Sequence, residues 1–134
     1  MVTHDAPSAL VVPHEERSRN RRLVDVGVVP FVFGAVGGVL LGWTAVGYWI
    51  LQVVASVGAV LAGAEHRTPG SGARRGATAG AVFGVGLLLA HVVSGKDATV
   101  SLGGFPPALI VITAVAGSIL TALGAALIGR RLHR

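Results

Sequence analysis

Three places in this sequence hold side chains that could do chemistry: Asp25, the neighbours Glu65-His66, and the separated pair Gln52 and His91. A carboxylate beside an imidazole could pass a proton or hold a metal ion. Adjacent residues at a helix end do not face each other, however, and no second His or carboxylate stands at ligand spacing. Glu65-His66 therefore reads as a solvated pair at a membrane interface, bridged to Arg67, Arg74 or Arg75. Asp25 opens an apolar run and can still reach water. Gln52 and His91 differ, because each lies inside an uncharged stretch. Polar side chains within hydrocarbon are expensive and mark function by default. Both fall in the outer third of their spans, so they form a candidate polar intramembrane pair, hydrogen-bonded across the bundle. A pH-sensing role for His91 is the sharper alternative. Ser56, Thr113, Ser118 and Thr121 are expected to bond backbone carbonyls or neighbouring helices.

No Ser/His/Asp set, phosphate loop, dinucleotide fingerprint or H-E-x-x-H appears. The glycines lie inside apolar runs, where a phosphate cannot go. No catalytic, cofactor-binding or metal-ligating residue is expected, and the chain reads as a non-enzyme. With no cysteine, disulfides and thiolate sites are excluded.

The clearest motif is a small residue at every fourth position. Gly34, Gly38 and Gly42 form one stripe, and Gly76, Gly80 and Gly84 another. Ala55, Ala59 and Gly63 follow the same rule, as do Gly117, Thr121, Ala125 and Gly129. Lipid tails are as apolar as Leu, so membrane helices gain nothing by hiding apolar surface against each other. They associate through close backbone packing, which small residues on one face permit. The stripes are read as internal packing, with a seam for a second copy or another membrane protein as the functional alternative.

The elements that carry these residues follow from hydropathy. Of 134 residues, 52% are hydrophobic and 13% charged, whereas soluble domains carry about 25% charged residues. Most of the surface must face lipid. From Val26 to Ala64 no residue is charged, and Trp43, Tyr48 and Trp49 sit near the middle. Trp and Tyr gather at membrane–water interfaces, so the run divides into two spans joined by a tight turn. Glu65 to Arg75 reads as a loop, Gly76 to Gly95 as a third span, and Pro107 as the start of a fourth. The approximate spans are 24–42, 45–64, 76–95 and 107–129. Residues 1–22 read as a disordered basic tail and residues 130–134 as a second basic tail.

Arginine placement orients the bundle. With four spans, Lys96 alone of the 11 Lys and Arg residues lies opposite the rest. The positive-inside rule then places both termini in the cytoplasm. The fold class is an all-α, four-transmembrane-helix bundle. The net charge of +5 flanks the apolar runs instead of forming one basic face, so nucleic acid is not an expected partner. The segments Gly34–Gly42 and Gly76–Gly84 echo each other. Two duplicated hairpins would explain this, as would convergence in a Gly/Ala-rich chain.

The stretch Gly47-Tyr48-Trp49-Ile50-Leu51-Gln52, through Ala62-Gly63-Ala64-Glu65-His66 and on to Arg75-Gly76-Ala77, resembles small uncharacterised multi-pass membrane proteins of high-GC, actinobacterial-type bacteria. The resemblance implies a bacterial plasma-membrane protein and supplies no activity. Fluoride channels and small multidrug transporters have similar size. The Thr/Ser/Phe-rich signature of the first and the mid-helix Glu of the second are absent here. Three function classes remain: a non-enzymatic structural or accessory component, a small transporter or channel subunit working as an oligomer, and a holin-like pore former. The expected partners are the lipid bilayer and, by the stripes, a second copy or another membrane protein.

Overall fold

The computed structural model describes residues 18–100 and 106–132, with the side chains of 106 and 107 excepted. The described chain is helical nearly throughout. Helix α1 runs Arg19–Trp43, α2 Ala45–Ala64 and α3 Pro69–Ser94. Helix α4 starts as Pro106–Gly124 and continues through Ala125–Gly129 to Leu132. Among the described residues, these four helices are long and apolar enough to cross a membrane.

Short polar side chains start the first three. Ser18 accepts from the Arg21 amide at 3.5 Å, Thr44 from Gly47 at 3.4 Å, and Thr68 from Ser71 at 3.3 Å. Each satisfies an amide that would otherwise lack an intrahelical partner. Thr44 is the whole connection between α1 and α2, ending one helix and capping the next. Helix α3 stops at Gly95, whose φ of 63° is left-handed. Glycine takes that conformation without steric cost.

Helix α3 begins earlier than its sequence suggests. The stretch from Pro69 to Arg75, expected to be loop, is its first two turns. Proline fits the first helical turn because its missing N–H would be unpaired there anyway, and Thr68 caps it. The first basic tail likewise gives way to helix at Arg19, and the second basic tail is helical to Leu132. The remainder of the expected N-terminal tail lies outside the described residues.

Helix α1 widens into a π turn at Val24–Val28, just before Pro30. A proline ring clashes with the carbonyl four residues earlier, here that of Val26, and the wider turn relieves that contact. A second π turn, Ala125–Gly129, lies near the end of α4 and buries Ala125 and Gly129.

Helix α3 is the hub, packed along α1 on one side and α4 on the other. Helix α2 leans on α4 and meets α1 less extensively, while α2 and α3 stand across the bundle from each other. The two hairpins are thus packed unequally, despite the sequence echo between them. Gly34 and Gly38 press against the Phe83 and Leu87 carbonyls of α3. Gly76 and Gly80 press against the Gly117 and Thr113 carbonyls of α4. Gly63 of α2 lies on the Thr121 carbonyl, and Gly124 of α4 returns the contact on Val60. A methyl group at any of these would collide with backbone. Gly84 meets the Thr113 hydroxyl and Ile110, while Gly42 meets the Lys96 side chain.

The bundle has two unlike halves. Leu41, Tyr48, Leu87 and Leu109 form a packed core, flanked by Leu40, Phe83, Leu88 and Val100. That half is closed by the Thr99 hydroxyl, which donates to the Leu41 carbonyl at 2.7 Å, and by Lys96 Nζ, 4.7 Å from the Trp43 ring centroid. The other half, toward Arg22, Arg74 and Arg75, is walled by small residues and is not filled.

Candidate functional site

Small side chains let backbones approach in places and leave space elsewhere. Between the four helices this produces a cavity of about 340 Å³. Ala55 and Ala59 of α2 line it, with Ala79 and Gly80 of α3 and Ala116 and Leu120 of α4. Val29 and Phe33 on α1 and Val54 and Gly58 on α2 also line it, and all four are exposed. The cavity therefore opens sideways, through the loosely packed seam between α1 and α2.

Its polar groups are few and mostly engaged with backbone. Ser56 donates to the Gln52 carbonyl at 2.7 Å and Thr113 to Leu109 at 3.0 Å. Thr121 donates to Gly72 of α3 at 2.6 Å. A hydroxyl that donates to a helix carbonyl presents little polarity to the space beside it. Asp25 and Arg75 line the end of the cavity nearest the arginines. Both have interaction partners. The π turn that holds Asp25 packs against α3.

Gln52 lines this cavity and hydrogen-bonds Tyr48 one turn away on its own helix. His91 lies elsewhere, beside Gly38 on the α1–α3 seam, and its Nδ1 is buried without a hydrogen bond. The candidate pair is not brought together. The expectation assumed that helices joined by a short loop are neighbours, whereas α2 and α3 are diagonal. Tyr48, expected at the interface with the tryptophans, is only 5% exposed and belongs to the core. Trp43 and Trp49 are exposed.

The solvated reading of Glu65-His66 also changes. His66 is 2% exposed, with Nδ1 3.2 Å from the Ala62 carbonyl, and Gly129 of α4 packs on its backbone. Helix α4 packs closely on this end of α2. Among the described residues no three His, Cys, Asp or Glu side chains gather as a metal site.

A second cavity, of about 480 Å³, lies at this same end and is lined by Arg22, Arg74, Arg75, His66, Thr68 and Ser71, with Gly70. In the sequence these arginines read as topology signals and, for Arg74 and Arg75, as bridges to Glu65-His66. Their gathering depends on α1 meeting the start of α3, which no local pattern reveals. No family model matches the chain, and neither curated proteins nor solved structures give a match to it.

Proposed function

We propose that the chain is a non-enzymatic accessory component of a bacterial plasma membrane, crossing it four times with both termini in the cytoplasm. It acts sideways, on molecules within the bilayer, and does not pass solutes between the two faces. The observation that carries this reading is the direction of the inner cavity. Its walls are apolar and it opens between α1 and α2, where lipid would lie. The opposite half of the bundle is filled by the Leu41–Tyr48–Leu87–Leu109 core, which interrupts any continuous polar path. Orientation is supported by charge, with Arg22, Arg74 and Arg75 at one end and Lys96 at the other. Cytoplasmic span ends carry the excess of Lys and Arg.

Reconstitution tests the reading directly. Vesicles containing the full chain should stay as tight to ions and to a small entrapped dye as empty vesicles. Protein-dependent flux would replace the accessory reading with the transporter or channel class. Rapid collapse of membrane potential on expression in cells would favour the holin-like class.

A further inference from the structure

We propose that the chain binds one anionic phospholipid, its phosphate among Arg22, Arg74 and Arg75 and an acyl chain in the cavity beside α2. This gives an occupant to the bilayer-facing cavity, and rests on the reading that lipid lies at its opening. Two independent features meet at one residue. The apolar cavity of about 340 Å³ and the basic one of about 480 Å³ are both lined by Arg75. A molecule spanning both must therefore be apolar at one end and negatively charged at the other.

The chemistry of the basic cavity narrows the charged end. Three guanidinium groups line it, and no carboxylate does. Asp25 lines the apolar cavity instead. Asp25, Arg22 and Arg75 each already have a partner, so a phosphate would use Arg74 and the N–H groups those partners leave over, a guanidinium having five. The hydroxyls of Thr68 and Ser71 are engaged in the turn that starts α3, so the arginines would supply the donors. Guanidinium groups match phosphate with paired, fork-like hydrogen bonds. Basic pockets between helices on the cytoplasmic side are suited to phospholipid head groups. Inorganic phosphate would satisfy only the basic part, and a zwitterionic lipid would waste the charge. Arg74 is exposed, so its side chain can close over a head group without repacking the bundle.

The test uses the full chain in nanodiscs of phosphatidylcholine, with labelled phosphatidylglycerol added as the probe. Phosphatidylglycerol should bind in preference to labelled phosphatidylcholine. Arg74→Gln should weaken that preference about fivefold, the equivalent of about 1 kcal/mol per arginine near a membrane surface. Arg22→Gln added to it should multiply the loss. Gly58→Leu projects into open space at the cavity wall, since nothing lies within 4 Å of a methyl there. It should reduce phosphatidylglycerol binding while the protein melts as before. Equal retention of the two lipids, or full displacement by inorganic phosphate, overturns the proposal. No effect of Gly58→Leu overturns the placement of the chain. Solute flux in the vesicle assay with lipid binding intact would remove the accessory reading and leave this site standing. Sealed vesicles without lipid preference would do the reverse.

Discussion

Thr121 on α4 donates its hydroxyl to the Gly72 carbonyl of α3 across 2.6 Å, at a level where Gly76 has no side chain to obstruct it. The same oxygen lies 2.7 Å from the Gly117 carbonyl on its own helix. One proton is therefore shared between acceptors on two helices. Interhelical hydrogen bonds in membranes average roughly 0.6 kcal/mol and reach about 1.7. Thr121→Val keeps the shape and removes the donor, so it should destabilise the bundle by about that range. Thr121→Ser should cost less. Unfolding of the detergent-solubilised chain measures both, and a Val variant as stable as the parent would deny the bond any weight.

The glycine stripes give a sharper contrast. Gly80→Ala drives a methyl group into the Thr113 carbonyl, and overpacking of this kind costs about 1–3 kcal/mol. Gly58→Ala meets nothing within 4 Å and should be neutral, or stabilising by about 0.5–1 kcal/mol through helix propensity. Leu89→Ile, at an exposed position, should be nearly silent. Thermal melts of the three variants decide the matter. Equal melting of Gly80→Ala and Gly58→Ala would make the stripe incidental.

Helix number and the close-packed glycines were legible because both are local. An uncharged run of span length predicts a helix, and spacing of four puts small residues on one face. Neighbour relations were not legible. Nothing within α2 or α3 says that α3 will lie between α1 and α4, and this choice separates Gln52 from His91. It also collects Arg22 with Arg74 and Arg75. Pro69, Gly70 and Ser71 suggest a loop as readily as a helix start, until Thr68 is recognised as the cap. Leu88, four residues beyond Gly84, packs against the core while its neighbour Leu89 is exposed. Helix rotation is set by tertiary contact.

Topology can be tested apart from the fold. If both termini are cytoplasmic, alkaline phosphatase fused after Arg134 should be inactive and a fusion near Lys96 active. The enzyme folds only where disulfides can form, so its activity reports the side directly. Activity at Arg134 as well as near Lys96 would sink the four-span arrangement. Activity at Arg134 together with inactivity near Lys96 would invert the whole bundle while leaving four spans.

Gln52 and His91 should behave as strangers. Gln52 bonds Tyr48 on its own helix, and His91 keeps a buried Nδ1 without a partner on the other side of the bundle. Gln52→Leu removes a bond worth about 0.5–1.5 kcal/mol, which the Gln52 amide donates to the Tyr48 oxygen, so stability should fall. His91→Leu removes a polar atom whose burial is uncompensated. Unsatisfied groups cost about 1–3 kcal/mol, so this variant should be at least as stable as the parent. Residues without shared partners add within about 0.3–0.5 kcal/mol. The double variant should therefore equal the sum of the singles. A coupling energy well above that, in a double-mutant cycle followed by unfolding, would show that the two side chains meet after all. Gln52 and His91 would then have to share a polar seam, and the packed core of Leu41, Tyr48, Leu87 and Leu109 would be wrong with it.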